Sequence, residues 1–187
     1  MGCVPNVCRK DENSIKTEYV FHSNKTSDIK YIENNSKNSY IYDLISKEFF
    51  SYLNEIRVNP DKFLEESKKY NLFEIFIKLK PCPEINYNEN NIEKIRQYII
   101  DSHSKKKNII EQEKDIKILL NENINDMSLF QTICLNNDIN ENVWLFFGEN
   151  EDDIDKIFDA KYNCLMVICT PLEKNKKMLL SLIFYKE

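Results

Sequence analysis

The hydrophobic positions of the chain follow a helical period from about residue 40 onward. Apolar residues recur at three- and four-residue steps, which gives one apolar stripe on a helix that stops before the sequence VNP. Asn59 can cap the next helix, and Pro60 suits its first turn, where the missing N–H costs nothing. The stripe consists of Tyr42, Ile45, Phe49, Tyr52, Leu53 and Ile56.

Further helices follow in the first two thirds of the chain. The second helix carries Phe63 and Leu64 and ends near Tyr70. The segment LFEIFIKL is helical or extended, and MSLFQTICL fits either a helix or a strand. Two more helices are marked by Ile92, Ile95 and Ile99, over about 89–103, and by Ile116, Leu119 and Leu120.

The pattern changes in the last third. NVWLFF is a continuous apolar run that ends at Gly148, and it predicts a buried strand. EDDIDKIFDA predicts a short helix with acidic residues at its N-terminus, where the helix dipole favours them. NCLMVIC and MLLSLIFY have strand length, and the polar connection TPLEKNKK predicts that they pair antiparallel. Several helices followed by a small, mostly antiparallel sheet with a C-terminal hairpin indicate an α+β fold, layered as an α/β/α sandwich.

The first 38 residues show no such period. They are polar and low in complexity, which predicts a flexible, disordered N-terminal tail (1–38) before one compact domain (39–187). The tail holds six basic and five acidic residues and therefore carries one positive charge. Since the whole chain has a net charge of -5, the domain carries six negative charges.

Composition and cysteine content restrict the cellular compartment and the kinds of partner expected for the chain. The chain is 42% hydrophobic, too rich for wholesale disorder, and its negative charge argues against nucleic acid as a partner. No apolar run approaches the roughly 20 residues of a membrane span, and the N-terminus lacks the apolar region of a secretory signal. A cytosolic chain keeps its thiols reduced, so no disulfide is expected among the six cysteines. These are Cys3, Cys8, Cys82, Cys134, Cys164 and Cys169.

The N-terminus carries the sharpest chemical signal. The chain has only two glycines, and Gly2 precedes Cys3. Removal of Met1 leaves the unhindered α-amine that N-myristoylation requires, although Asn6 stands where the motif prefers Ser or Thr. One myristoyl chain binds bilayers only marginally, at roughly 10⁴ M⁻¹, so palmitate on Cys3, and next on Cys8, would supply the second signal. We expect attachment through acyl chains, with little direct contact between the acidic domain and anionic headgroups.

Two segments resemble a known family. FFSYLNEIRVNPDKF is similar to the first helix and turn of the CAP superfamily, also called SCP-like, which includes cysteine-rich secretory, venom-antigen and pathogenesis-related proteins. KIFDAKYNCLMVI is similar to a second stretch of that family, with Lys156 at its first position and Met166 where the family usually has glycine. MLLSLIFY fits the closing strand. The residues in step with the two motifs are Leu53, Asn54, Arg57, Asn59, Pro60, Phe63, Phe158, Asp159 and Tyr162.

The resemblance implies an α-β-α sandwich, but the cleft chemistry of the family looks lost. Family members with a metal-binding cleft use two histidines and two acidic residues. Asp153 stands at the position of one histidine, and the only histidine available for the other is His103 in an exposed, basic stretch. Glu149 or Glu141 could supply a family acid. We therefore expect no catalytic residue, no metal and no cofactor, and interpret Asn54, Arg57, Asn59, Pro60, Phe158 and Tyr162 as structural motif residues.

Other catalytic patterns are absent from the sequence. The domain has one glycine, too few for a phosphate loop, and ENEDD lacks the alternating oxygens and central glycine of a calcium loop. A cysteine nucleophile would have only His103 as its base. Trp144 and the four cysteines of the domain are expected in the core.

These observations predict a non-catalytic CAP-like domain, held by lipid at the cytosolic face of a plasma or internal membrane, that acts as a scaffold for a protein partner. One alternative is a lipid- or sterol-binding protein whose groove is lined by LFEIFIKL and VWLFF. A second is a divergent hydrolase that uses Glu149, Asp153 and His103, which requires those side chains to converge on one substrate position.

Overall fold

The computed structural model describes residues 36–120, 124, 126–134, 138–172 and 177–187, with side chains from residue 40. Within these ranges it contains seven α-helices and a four-stranded sheet. The helices are Ser36–Val58 (α1), Leu64–Ser67 (α2), Phe73–Phe76 (α3), Ile92–Ser104 (α4), Ile109–Leu120 (α5), Ile139–Glu149 (α6) and Ile154–Ile157 (α7). The strands are Asn86–Tyr87 (β1), Met127–Cys134 (β2), Cys164–Leu172 (β3) and Lys177–Tyr185 (β4).

The sheet has the order β1-β3-β4-β2 and is mostly antiparallel. The β3–β4 hairpin predicted from the two apolar runs is confirmed, with Leu165 opposite Phe184 and Cys169 opposite Leu180. The segment MSLFQTICL, whose sequence pattern fits either a helix or a strand, contains β2, which pairs antiparallel with β4. Only the two-residue β1 runs parallel to its neighbour β3.

Helices cover both faces of the sheet, so the predicted α/β/α layering is confirmed. Alternate residues of a strand point to opposite faces. Leu165 and Val167 face one core with α1 and α6, whereas Met166 and Ile168 face a second core with α4 and α5. Every residue of β3 is buried. The layer of α1 and α6 is called layer A below, and the layer of α4 and α5 is called layer B.

The predicted strand at NVWLFF is wrong, because this run lies inside helix α6. Asp138 caps the helix, and its side chain accepts a hydrogen bond from the backbone N–H of Glu141 at 3.0 Å. A short apolar run cannot distinguish a buried strand from a buried helix by period alone. The start signal, an aspartate followed three residues later by glutamate, precedes the run and indicates the helix.

The segment after α1 is helical, as predicted, but its N-terminus differs. Pro60 begins a 3-10 turn, Pro60–Phe63, that continues through α2 to a second turn, Lys68–Tyr70. The side chain of Asn59 makes no capping hydrogen bond, so the predicted cap is wrong. The backbone carbonyl of Asn59 accepts from the N–H of Lys62 at 3.1 Å and closes the turn instead.

The boundary predicted after residue 38 falls inside a helix. Helix α1 begins at Ser36, so it includes the last three residues assigned to the tail. Those residues, 36–38, are Ser, Lys and Asn. They supply no apolar position to the repeat, and the hydrophobic pattern therefore cannot detect this first turn.

Helix α1 also covers the open edge of β3 beyond the short β1. The backbone N–H of Cys169 donates to the Ser46 hydroxyl at 3.1 Å, and that hydroxyl donates to the carbonyl of Tyr42 at 2.8 Å. Next to this edge, Arg96 of α4 pairs with Asp43 of α1 and with Glu93. Layers A and B are therefore joined by an ion pair as well as by the sheet between them.

The link between the layers predicts a difference between two ion pairs. Asp43→Asn leaves the Arg96 guanidinium, which is 1% exposed, with Glu93 alone. Because Asp43 is itself about a third exposed, we expect a loss of about 2 kcal/mol in the free energy of unfolding, below the cost of breaking a fully buried pair. The measurement is urea unfolding followed by the fluorescence of Trp144, the only tryptophan. The control Lys47→Gln breaks the exposed Lys47–Glu89 pair and should leave the free energy of unfolding nearly unchanged, because solvent screens exposed pairs. Equal losses in the two variants would contradict a buried link.

Candidate functional site

The three residues predicted to carry lipid, Gly2, Cys3 and Cys8, lie outside the described residues. The described chain begins at Ser36 in layer A, at the start of α1. The motif residues of the folded region and the alternative catalytic residues all lie within the described ranges.

The two segments that carry the family resemblance meet at Arg57. Its Nε donates to the backbone carbonyl of Ile157 at 2.8 Å, across 100 residues of sequence. The carbonyl of Arg57 accepts from the backbone N–H of Cys82 at 2.9 Å, and the Cys82 thiol donates to the carbonyl of Phe158 at 2.6 Å. The ends of α1 and α7 are thus tied together through the loop that contains Cys82.

The other motif residues stabilise the same region. Oδ1 of Asn54 accepts from the backbone N–H of Ile85 at 3.2 Å, which holds the loop before β1 against α1. The hydroxyl of Tyr162 lies 2.7 Å from the Ser128 hydroxyl. Pro60 and Phe158 are buried. Asn54 and Tyr162 thus each bond to another element, and the ring of Phe158 lies near those of Phe76 and Phe147.

Arg57 is a buried cation with few partners. Its side chain is fully buried, and within the described part of the chain Nη1 and Nη2 make no hydrogen bond. Burial lowers the pKa of Arg57, while the neighbouring Cys82 and Asp159 oppose that shift. The guanidinium carbon lies 5.8 Å from the ring centroid of Phe184, close enough for a cation–π interaction.

The cysteines of the domain are core residues, as predicted. Cys82, Cys134, Cys164 and Cys169 are all buried, and none of these four thiols is in a disulfide. Burial raises the pKa of Cys134 to about 12 and also raises the pKa of Cys82, although Arg57 opposes the latter shift. A thiol with a raised pKa is protonated at neutral pH and is a poor nucleophile.

The residues proposed for a divergent hydrolase do not come together. His103 lies exposed in the last turn of α4 in layer B, as expected for a solvated helix end. Glu149 ends α6 in layer A and accepts a hydrogen bond from the Thr132 hydroxyl. Asp153 forms an ion pair with Lys156 at 2.6 Å, also in layer A. Glu141 lies in the first turn of α6.

The segments proposed to line a lipid groove pack against each other. The ring of Phe76, from LFEIFIKL, lies 5.0 Å from that of Trp144 and 5.3 Å from that of Phe147, both from VWLFF. The ring of Tyr70 stacks on that of Trp144, with the ring centroids 5.3 Å apart. The expectation that Trp144 lies in the core is confirmed. Lipid binding stays a prediction.

Met166 shows how the chain fits a large residue where the related pattern has glycine. Its side chain is fully buried in the core between the sheet and layer B, near Ile95 and Ile99 of α4. The helices of layer B therefore pack against a methionine side chain at this point of β3.

Sequence analysis missed Arg96, the residue that joins the two layers. Its side chain is 1% exposed. The available signal was its place between Ile95 and Ile99 on the apolar side of α4, where an arginine needs a carboxylate partner. The identity of that partner, Asp43, depends on tertiary packing and has no sequence signal.

Among the described residues, no three or more His, Cys, Asp or Glu side chains are grouped so that they could hold a metal ion. No helix of the described ranges has the length and apolar character needed to cross a bilayer. No family model, curated protein or solved structure matches the chain.

The packing around Arg57 predicts that the volume of this side chain contributes more to the stability of the fold than its charge does. Arg57→Ala removes the bond to Ile157 and opens a cavity, so we expect a loss of about 3–4 kcal/mol in the free energy of unfolding. Arg57→Met fills most of the volume and removes a poorly partnered buried charge, and should cost about 2 kcal/mol less than the alanine variant. Urea unfolding measures both. A methionine variant as unstable as the alanine variant would mean that the hydrogen bond of the guanidinium, rather than the side-chain volume, stabilises the contact between the ends of α1 and α7.

Proposed function

We propose that this protein is a lipid-anchored adaptor that holds a protein partner at the cytosolic face of a membrane. The observation that carries the proposal is the sequence Met1-Gly2-Cys3 in a chain with only one other glycine. A myristoyl group on Gly2 gives marginal binding, and a palmitoyl group on Cys3 supplies the second anchor that stable attachment requires. Cys8 offers a further thiol for acylation.

The length of chain before α1 supports this arrangement. Thirty-three residues lie between Gly2 and Ser36, where α1 begins. Fully extended, they span at most about 120 Å. The anchored domain can therefore meet partners well away from the headgroups.

We propose that the folded region is a divergent CAP-like domain. The contact between Arg57 and the carbonyl of Ile157 supports this proposal, because it joins the two segments that carry the resemblance. The bonds of Asn54 and Tyr162 and the burial of Pro60 and Phe158 agree with a structural use of those motifs. On this proposal the domain binds a partner and performs no chemistry.

The first test of the anchor uses both glycines. In cells that express the full chain, an alkyne analogue of myristate should label the wild type and not Gly2→Ala, because the alanine side chain hinders the acceptor amine. Gly148→Ala is the matched control: a Cβ at Gly148 meets no atom within 4 Å, so its label should equal that of the wild type. Proximity labelling of the same variants should give a neighbour set that Gly2→Ala loses and Gly148→Ala keeps. Equal myristate label on Gly2→Ala and the wild type would refute the anchor.

The second test concerns the palmitoyl group. Cys3→Ser should keep the myristate label, lose most of the hydroxylamine-sensitive thioester label and move from the membrane fraction to the soluble fraction, because one acyl chain binds only marginally. Cys8→Ser should have the smaller effect. Palmitate-analogue labelling and fractionation measure these changes. A Cys3→Ser chain that stays entirely with membranes would show that another group provides the second anchor.

A further inference from the structure

Strand β2 forms an edge of the sheet, because it pairs with β4 on one side and with no described strand on the other. In an antiparallel ladder, alternate residues direct their backbone N–H and C=O groups toward the partner strand. The N–H of Lys186 donates to the carbonyl of Asp126 at 3.2 Å, in register with the ladder. The even-numbered residues of β2 therefore bond to β4. The odd-numbered residues direct their backbone groups outward, and these are Met127, Leu129, Gln131 and Ile133.

The first half of this edge is closed by a side chain. Oε1 of Glu113, from α5, accepts from the outward backbone N–H of Leu129 at 2.8 Å. Within the described ranges, no group bonds to the outward N–H or C=O of Gln131 or Ile133. The backbone groups of these two residues are therefore open, and they are called the open edge of β2 below.

The open edge also lacks the usual protection of an exposed strand. Natural edge strands avoid further pairing by means of a charged residue, a proline or a bulge. The segment FQTIC (130–134) contains no charge and no proline, and its register with β4 is unbroken. The side chain of Ile133 is 41% exposed. The open edge can therefore accept one more strand through main-chain hydrogen bonds.

The two faces of the sheet beside the open edge differ in chemistry. Thr132 lies on the layer A face, where its hydroxyl donates to the carboxylate of the exposed Glu149. Ile133 lies on the layer B face, because side chains alternate along a strand. On that face Ile109, one turn before Glu113 on the same side of α5, is 43% exposed. A strand added here would meet a carboxylate on one face and isoleucines on the other.

The charge on the layer A face near the open edge is negative. Glu149, Glu151 and Asp152 are exposed, and none of them forms an ion pair within the described part of the chain. The next lysine in the sequence, Lys156, is already paired with Asp153 at 2.6 Å. The exposed lysines in the turn before α5 belong to layer B, on the other face of the sheet. An added strand is therefore stabilised by a basic side chain on its layer A face.

A second copy of the chain is a poor occupant of the open edge. Antiparallel pairing of two β2 strands through Gln131 and Ile133 places the two Thr132 residues opposite each other, on a two-fold axis. Residues directly opposite in such a pair lie only about 5 Å apart. The two Glu149 carboxylates, each bonded to one of those hydroxyls, would then repel each other. A basic residue opposite Thr132 attracts Glu149 instead.

We propose that the open edge of β2 binds an extended segment of a protein partner in which basic residues alternate with apolar ones. The segment adds a strand to the sheet, and its backbone bonds to Gln131 and Ile133. Its basic side chains face Glu149, and its apolar side chains face Ile133 and Ile109. The inference specifies how the proposed adaptor holds its protein partner, and it rests on that proposed function.

The test uses the unacylated Gly2→Ala full chain and a short synthetic peptide in which lysine alternates with valine. Amide hydrogen exchange, measured by NMR, should slow at Gln131 and Ile133 when the peptide is added. The amides of Phe130 and Thr132 already bond to β4, so their exchange rates should not change and they serve as internal controls. A peptide with the same lysines and valines in two separate blocks should bind about tenfold more weakly, because neither face of its strand is uniform.

Methylation of the peptide backbone identifies the added strand directly. Only alternate N–H groups of an added strand point toward β2. Of two peptides, one methylated at the valine nitrogens and one at the lysine nitrogens, one should bind at least about tenfold more weakly and the other should bind as before. Antiparallel addition predicts the loss for the valine-methylated peptide, since the residues opposite Gln131 and Ile133 carry the apolar side chains.

Substitution of Glu149 tests the charge match. Glu149→Gln keeps an acceptor for the Thr132 hydroxyl but removes the charge, so peptide binding should weaken about threefold at low salt and little at high salt. Glu48→Gln is the matched control at an exposed position of α1, and it should bind as the Gly2→Ala parent does. Both positions are at the surface, so the urea midpoints of the variants should match that of the parent.

Several results would overturn the inference. These are the absence of peptide binding, binding that leaves the amides of Gln131 and Ile133 unprotected, and equal binding of the two methylated peptides. Protection of these amides that rises with protein concentration and without peptide would show that a second copy covers the edge. Failure of the anchor is observed separately, as myristate label that survives Gly2→Ala, because the peptide measurement uses no acyl group.

Discussion

The β3–β4 hairpin is apolar on both faces, and the rest of the architecture follows from that constraint. Every residue of β3 is buried, and all but the first residue of β4 are buried as well. Each of the two apolar faces must be shielded from water. One helical layer can cover only one face, so a second layer is needed. Helices α1 and α6 cover one face, and helices α4 and α5 cover the other.

Two buried arginines fix how those layers sit. Arg57 holds the end of α1 against the carbonyl of Ile157, inside layer A. Arg96 reaches from α4 to Asp43 of α1 and joins the two layers beside the edge of β3. Buried cations are costly, and each is tolerated because its planar donor group reaches partners on a different element. The hydrophobic pattern supplies the layers, and the arginines specify their alignment.

The parts of the fold that sequence pattern predicted include one with an unambiguous period. The stripe of α1 is of this kind, whereas β3 and β4 were predicted from two apolar runs of strand length joined by a polar connection. The run NVWLFF also lacks a period, because a helix buried by α1 on one side and by the sheet on another shows no polar face. The capping pair at its start, Asp138 and Glu141, is the signal that indicates a helix.

The place where α1 begins determines how the proposed anchor would hold the domain. On that proposal the tether enters the folded region at Ser36, in layer A. A path around half of a domain of this size is at most about 60 Å, and the 33 residues between Gly2 and Ser36 can extend to about twice that length. The slack means that the tether cannot dictate which side of the molecule meets the bilayer. Shortening this segment by a third would leave that freedom in place, because the remaining length would still exceed the path around half of the domain.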